Sequence, residues 1–405
     1  MIFNKFKLED ITDKIGDGIH GTPEYDDNGE FYFVNGNNLV DGDIVFKNDT
    51  KRINEEQYLK HKRNLNRNTL LISINGTLGN IAKYNNEKII LGKSACYANV
   101  KDEYNVDYVY FVFESPEFKK YLQYGANGTT IKNVPLSAIR NYEISIPSKE
   151  NQDKIVKILK SIEDKIKLNN EINNNLFELL KLEFKEKFYN QAEKDSYLIE
   201  YISETIGGDW GKENPEGNNN TKVYCVRGAD IPNMEYGNKG NAPIRYILEK
   251  NYKNKKLDPN NIIIEISGGS PSQSTGRTAY ITKSILDMYD SPLLCTNFCR
   301  AIETKSDILA PFVYMNLKLM YEDNIFFNWE NGTTGIKNMA LNDMLSNIEV
   351  KKPYEDDLKE YDLLFNSVMN KISHNSNENI KLEQLRDTLL PKLINGEIEL
   401  ENIEI

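Results

Sequence analysis

The sequence predicts an α+β protein made of two tandem mixed α/β domains separated by long helices, which are expected to pair as a coiled coil. Two observations lead to this prediction. The 405-residue chain contains an imperfect internal repeat that spans almost its whole length. Each copy ends in a stretch whose seam positions recur at alternating steps of four and three, which is typical of paired helices.

The repeat is clearest in one short string. Residues 127–133 read NGTTIKN, and residues 331–338 read NGTTGIKN, with Gly335 as the one extra residue. Upstream, the apolar run at 70–74 and the glycine after it match residues 262–266 and Gly268. A string of this length is improbable by chance at corresponding places, so duplication of one unit is the economical explanation. The predicted boundaries are 1–147 for the first domain, 148–190 for a spacer helix, 191–353 for the second domain and 354–405 for a second helix and tail.

The two long helices share one pattern of seam residues, including two asparagines at the same positions. A polar residue in a seam lowers stability but fixes register and orientation. We therefore favour pairing of the two helices over packing of each helix on its own domain, which is the simpler alternative. The predicted seam consists of Ile155, Leu159, Ile162, Ile166, Asn169, Asn173, Leu176, Tyr361, Phe365, Val368, Ile372, Asn375, Asn379 and Leu382.

Inside the domains, short apolar runs predict strands and amphipathic segments predict helices. Residues 31–34, 70–74, 223–226 and 262–266 have strand length and end at turn residues. Residues 108–118 and 311–321 are expected to be helices that pack on a sheet. The charged segments 52–67 and 246–256 are compatible with helices as well.

Loops rich in Gly, Ser, Thr and Asn follow the apolar runs in both copies. Such loops let a backbone approach phosphates closely and supply hydrogen bonds to phosphates or base edges, whereas the plain alternative is a strand-ending turn with solvated lysines. We expect contacts to phosphates and base edges to come from both copies of the repeat, with Trp210 and Lys212 as further candidates for these contacts. The predicted contact residues are Asn75, Thr77, Lys132, Asn133, Trp210, Lys212, Ser270, Gln273, Arg277, Lys337 and Asn338.

Composition and missing motifs argue against several classes of protein. The chain has a net charge of −11, of which residues 354–405, with 12 acids and 5 bases, contribute −7, so a basic face elsewhere stays open. No apolar run is long enough for a membrane span, and the N-terminal residues do not resemble a signal peptide, so we expect a cytoplasmic protein. The four cysteines form no CxxC pair, which favours buried thiols over a metal site. No nucleotide-binding, methyltransferase or hydrolase motif is found, and no catalytic residue is predicted.

The two NGTT strings before apolar strands, the repeated seam with its asparagine pair, and residues 390–398 (LPKLINGEI) together resemble the specificity subunit of type I restriction-modification systems. The resemblance covers nearly the whole chain. It implies that each domain is a target-recognition domain for one half of a bipartite, asymmetric site in double-stranded DNA. It also implies that the antiparallel helices set the half-site spacing and dock methyltransferase subunits for adenine methylation.

The same resemblance implies restriction motor-nuclease subunits as further partners. S-adenosylmethionine and ATP would then be bound by the partner subunits, with no cofactor in this chain. The family's Gly-Gly-Thr-Pro turn is His20-Gly21-Thr22-Pro23 in the first domain, and the second domain departs from it with residues 207–211 (GGDWG), so the two domains are expected to read different sequences. Three alternatives stay open: a system whose methyltransferase and nuclease are fused, a protein-interaction scaffold, and an enzyme with an unrecognised site.

Overall fold

A computed structural model describes residues 2–128, 132–270, 273–332 and 337–400 of the chain. It divides into two compact units: unit 1 is Met1–Asp164 with Leu382–Ile405, and unit 2 is Lys165–Lys381. The boundary therefore falls within each of the two long helices, and each unit contains a section of both. The proposed domain boundaries, which follow sequence rather than compactness, stay predictions.

Unit 1 begins with a mixed α/β region whose main sheet is antiparallel in the order β2-β10-β7-β8. A second sheet, β6-β3-β9, pairs β3 with β9 in parallel, and the first and last strands, β1 and β11, pair with each other. The elements are β1 (Asn4–Lys7), β2 (Thr12–Asp17), β3 (Phe31–Val34), β4 (Leu39–Val40), β5 (Asp43–Ile44), β6 (Arg52–Ile53), α1 (Glu55–His61), β7 (Thr69–Ser73), β8 (Ile81–Lys83), β9 (Ile89–Leu91), β10 (Ala95–Val100), α2 (Val106–Glu114), α3 (Pro116–Gly125), α4 (Leu136–Arg140), β11 (Glu143–Ile146) and then α5 (Lys149–Phe184).

Unit 2 repeats this arrangement. Its main sheet has the order β13-β20-β16-β18, its second sheet is β15-β14-β19 with β14 and β19 parallel, and β12 pairs with β23. The elements are β12 (Ser196–Tyr197), β13 (Ile202–Gly207), β14 (Asn219–Val226), α6 (Ile231–Glu235), β15 (Ile244–Leu248), α7 (Glu249–Lys255), β16 (Ile262–Glu265), β17 (Ser267–Gly268), β18 (Thr278–Tyr280), α8 (Lys283–Asp287), β19 (Leu293–Cys295), β20 (Cys299–Thr304), α9 (Ala310–Glu322), β21 (Glu330–Asn331), β22 (Lys337–Met339), α10 (Leu341–Asn347), β23 (Glu349–Val350) and α11 (Glu355–Ile394).

The sequence repeat is thus a structural repeat in which the main sheet, the second sheet and the pair of terminal strands all recur, and the predicted α+β class with two long helices is confirmed. The apolar runs become β7 and β16, and every residue of both strands is buried. Each lies second from the edge of its sheet, where continuous apolar sequence is expected because both faces are covered. The NGTT strings fall partly outside the described residues, at 129–131 and 333–336.

Two segments that were predicted as helix-compatible are mixed instead. In residues 52–67 only α1 is helical, because Arg52–Ile53 pairs with β3 as a strand and the helix starts at the N-cap Asn54. In residues 246–256 the first three residues belong to β15, which pairs with β14, and α7 follows. Sheet pairing with a distant strand overrides the local helical tendency in both places.

Each unit has a large apolar core on one face of its main sheet, and the long helices contribute to it. In unit 1, Ile155 and Leu159 of α5 join Leu390 and Leu393 of α11 in that core. In unit 2 the core is rich in aromatic rings, and Tyr361 and Phe365 of α11 are fully buried there. The helices are 36 and 40 residues long, and their apolar seams are what these cores bury. No helix in the described residues is both long enough and apolar enough to cross a membrane.

Candidate functional site

In unit 1 the two predicted contact segments meet at one end of the main sheet. Asn75, just after β7, forms a bridge with Asn133, which also pairs with Asn127. The Gly76 amide donates a 3.1 Å hydrogen bond to the Lys132 carbonyl oxygen. Thr77, Lys132 and Asn133 are exposed and Asn75 is half-buried, so the fold brings all four predicted residues of this unit to one surface.

A cavity of about 310 Å³ opens between these segments and the end of β2. On its wall the His20 ring lies 2.8 Å from the carboxylate of Asp17, measured from Nε2 to Oδ2. His20 was expected only as a turn residue, and neither Asp17 nor the exposed Lys93 was among the predicted contact residues. The lining residues are Asp17, His20, Ile74, Asn75, Lys93, Asn133, Val134, Pro135 and Leu136.

The turn that carries Asp17 and His20 is held by a close backbone approach. The Ile19 amide donates a 2.8 Å hydrogen bond to the Leu91 carbonyl oxygen. A Cβ atom on Gly18 would lie 2.1 Å from the same oxygen, so only glycine fits there. Arg63 holds the turn from the other side, since its Nε donates to the Asp17 carbonyl oxygen over 3.0 Å.

Unit 2 builds the same end of its sheet with equivalent contacts. Strand β17 pairs with β22, so Ser267 lies opposite Asn338, and the Ser267 hydroxyl donates to Asn338 Oδ1 at 2.7 Å. A Cβ on Gly208 would lie 2.0 Å from the Thr296 carbonyl oxygen. Lys255 takes the place of Arg63, with its Nζ donating a 2.8 Å hydrogen bond to the Gly208 carbonyl oxygen. The two units therefore present corresponding loops on a common framework.

Two predicted cations of unit 2 are engaged in ion pairs inside that framework. Lys337 Nζ lies 2.7 Å from Glu330, and Arg277 donates through Nε to Glu265 over 2.9 Å. Burial acts to raise the pKa of Glu330, but hydrogen bonds from Lys337 and Thr275 outweigh it and lower that pKa. The carboxylates of Glu265 and Glu330 are almost fully buried, so Arg277 and Lys337 hold loops in place. Contact of these two residues with DNA stays a prediction.

The remaining predicted residues of unit 2 lie on its surface. The amide of Ser270 donates to the carbonyl oxygen of Gln273 over 2.7 Å. The Trp210 ring is 39% exposed, and the Arg245 guanidinium stacks 4.1 Å from its centroid. Lys212 is exposed and pairs with Glu216 at 3.5 Å. Phe298, which sequence reasoning missed, is 55% exposed beside β20.

Along the helix pair, the predicted asparagines face each other within unit 2. Asn375 Nδ2 donates to Asn173 Oδ1, and Asn169 Nδ2 donates to Asn379 Oδ1, each over 2.8 Å. Numbers rise along α5 as they fall along α11, so the helices are antiparallel. Ile166, Leu176 and Leu382 are half-buried, and the other eleven predicted seam residues are buried.

The four cysteines are free and buried. Burial raises the pKa of the Cys96 thiol to about 12, so it stays protonated and unreactive at neutral pH. Among the residues that the structure describes, no group of His, Cys, Asp and Glu is arranged to hold a metal ion.

The known proteins to which this chain is similar are specificity proteins of type I restriction-modification systems. Residues 3–178 match the type I restriction modification DNA specificity domain. The chain is 23% identical to the type I restriction enzyme MjaIX specificity subunit of Methanocaldococcus jannaschii, over 98% of this chain and 94% of that protein. It is 22% identical to the HindI specificity subunit of Haemophilus influenzae, over 70% of this chain and 75% of that one. A crystal structure of a type I restriction-modification S subunit from M. genitalium has the same fold, with a TM-score of 0.55 at 17% identity over 97% of this chain and 96% of the other.

Proposed function

We propose that the chain belongs to the DNA specificity family of type I restriction-modification systems, whose domain matches residues 3–178, and that it reads a bipartite, asymmetric DNA site with one half-site for each unit. Specificity subunits recognise DNA sequence and are not themselves catalytic. The observation that carries the proposal is the duplicated sheet end. Each unit supports a pair of loops on equivalent backbone contacts, at β7 and Asn133 in unit 1 and at β17 and Asn338 in unit 2.

The side chains on these two frameworks differ, which supports an asymmetric site. Unit 1 presents His20, Asp17 and Lys93 around its cavity. Unit 2 presents the exposed rings of Trp210 and Phe298 at the corresponding end of its sheet. Because base edges are distinguished by their hydrogen-bond groups and by the thymine methyl, loops with different chemistry select different bases.

We further propose that the long helices dock methyltransferase subunits that methylate adenine. Leucines remain exposed on them although their seams are buried: Leu168 and Leu182 on α5, and Leu363 and Leu385 on α11. Exposed leucines repeated along a helix pair favour burial against another protein over exposure to water. S-adenosylmethionine, and ATP in restriction motor-nuclease subunits, would be bound by those partners and not by this chain.

The net charge of −11 agrees with a protein that binds DNA as part of a complex. Phosphate binding by one chain alone needs a basic surface. In the proposed assembly the methyltransferase subunits close around the duplex and supply positive charge, while this chain supplies sequence discrimination. We expect the assembly to work in the cytoplasm, where it meets chromosomal DNA.

The test is reconstitution with a methyltransferase subunit that co-purifies with this chain from its source cells. The purified complex is incubated with S-adenosylmethionine and plasmid DNA, and methylated adenines are mapped by sequencing. We expect one motif made of two short specified blocks separated by unspecified bases, and no methylation when this chain is omitted. Methylation without sequence preference, or at a single uninterrupted block, would contradict the proposal. The size of the co-purifying methyltransferase shows whether it is fused to a nuclease.

A further inference from the structure

One position in the duplicated main sheet differs in charge between the two units. In unit 1, Asp17 ends β2 and lies opposite Cys96 of β10. In unit 2, Gly207 ends β13 and lies opposite Arg300 of β20. The strand pairs are equivalent in the repeat, so Asp17 corresponds to Gly207 and Cys96 corresponds to Arg300. Residues that lie opposite each other on paired strands project from the same face of the sheet.

In unit 1 the carboxylate of Asp17 lines the cavity at the end of the sheet and is 26% exposed. One of its oxygens lies 2.8 Å from His20 Nε2. Cys96 beside it is short and fully buried, so it leaves the space above this strand end to Asp17. The cavity therefore offers a hydrogen-bond acceptor at this position.

In unit 2 a guanidinium takes that space. A Cβ atom on Gly207 would lie 2.3 Å from Nη1 of Arg300. The Arg300 side chain thus extends from the Cys96-equivalent position across the strand end and fills the place where the first side-chain atom of Asp17 lies in unit 1. The absence of a side chain at Gly207 is what makes room for it, and the unit offers hydrogen-bond donors at this position.

The chemistry of DNA gives opposite groups different partners. An ionised carboxylate only accepts hydrogen bonds, and a guanidinium only donates them. In the major groove, cytosine presents the N4 amino donor, and guanine presents the O6 and N7 acceptors. Phosphates repel a carboxylate, so an acid beside DNA gains affinity only where a base donor meets it. Adenine is a poorer match for Asp17 because its N7 acceptor stands next to its amino group.

We propose that Asp17 and Arg300 are specificity-determining residues whose charged groups occupy the same place at the sheet end of the two units: Asp17 selects cytosine in the half-site of unit 1, and Arg300 selects guanine in the half-site of unit 2. This inference rests on the proposed function, since it assumes that the sheet ends face DNA. The two units would then carry opposite charges at the same place on the duplicated framework, and they would therefore prefer different bases there.

The experiment maps adenine methylation on a DNA library with randomised bases, using the reconstituted complex. Asp17→Asn, Arg300→Gln and the charge-retaining Arg300→Lys are compared with the wild type. Matched controls are Asp13→Asn and Lys305→Gln, which remove the same charges near the opposite ends of the same strands. Circular dichroism and co-purification of the methyltransferase establish that each variant folds and assembles.

Asp17→Asn is expected to reduce the preference for cytosine at one position of the unit 1 half-site by about 5- to 150-fold, as expected for loss of one good base contact. Arg300→Gln should reduce the preference for guanine at one position of the other half-site by a similar factor and admit adenine, which an amide recognises. Arg300→Lys should retain binding with a smaller loss of discrimination. The controls should leave the motif unchanged.

An unchanged motif in folded, assembled Asp17→Asn and Arg300→Gln complexes would overturn the inference and leave the proposed function standing, because the wild type would still read two half-sites. Equal changes in both half-sites from either variant would also overturn it. A wild-type complex without any bipartite motif would instead refute the proposed function, and the inference with it.

Discussion

Replacing the buried asparagines of the helix pair tests whether they stabilise the pairing as hydrogen-bonded partners. Asn375 donates to Asn173 over 2.8 Å, and both side chains are at most 2% exposed. Leucine is close to asparagine in shape, so Asn375→Leu removes the amide without leaving a large cavity. The single change leaves the Asn173 carbonyl oxygen buried without that donor. Such a loss costs about 1–3 kcal/mol.

The double variant Asn173→Leu/Asn375→Leu removes both polar groups, and replacing both partners with apolar groups is nearly neutral. We therefore expect the double variant to be less destabilised than the sum of the two single variants, by at least about 1 kcal/mol. Urea unfolding of the four proteins, followed by circular dichroism, measures this coupling energy. Additive effects of the two substitutions would refute the view that these amides stabilise one another. Asn366→Leu, at an exposed site of α11, serves as the control.

Three further predictions concern ionisation, DNA contact and catalysis. Burial raises the pKa of Glu163 to about 7 in the folded protein. The free energy of unfolding is therefore higher at low pH and falls by up to about 3 kcal/mol as the pH rises from about 4.5 to 7. Glu163→Gln should flatten this pH dependence in thermal unfolding, and a pH profile identical to that of the wild type would contradict the prediction. Lys132→Ala should lower the magnitude of the slope of log DNA affinity against log salt concentration by about 0.9. Lys337→Ala should lower that slope less, because Glu330 already neutralises Lys337. Equal slopes for the two variants would show that the ion pair between Lys337 and Glu330 opens on DNA. The purified chain without partners should transfer no methyl group, and incorporation of labelled methyl from S-adenosylmethionine into DNA would contradict this.

The repeat and the helices could be predicted because their signals are local or periodic. The second helix with its tail was predicted over 354–405, and α11 occupies Glu355–Ile394 of that range. The first was predicted over 148–190, whereas α5 ends at Phe184 and a wider turn of helix follows at Lys185–Tyr189. Seam positions were visible because residues three and four apart share one helix face.

The site was only partly predictable because its chemistry depends on strand register. Asn75 and Asn133 could be proposed from composition, and the fold does bring them together. The opposition of Gly207 and Arg300 arises between strands about 90 residues apart, and no local pattern indicates it. Arg277 was predicted as a contact residue from its place in a polar loop, but its partner Glu265 becomes adjacent only when β16 and β18 pair.

The central claim is that each unit reads its own half-site. An exchange of the predicted first domain, which forms the sheets of unit 1, tests this claim most directly. Residues 1–147 are replaced by the corresponding segment of a specificity subunit with a known and different motif, and methylated adenines are mapped with the reconstituted complex. The account predicts that one specified block changes to that of the donor while the other block is retained. A change in both blocks, or in neither, in a folded and active complex would contradict it.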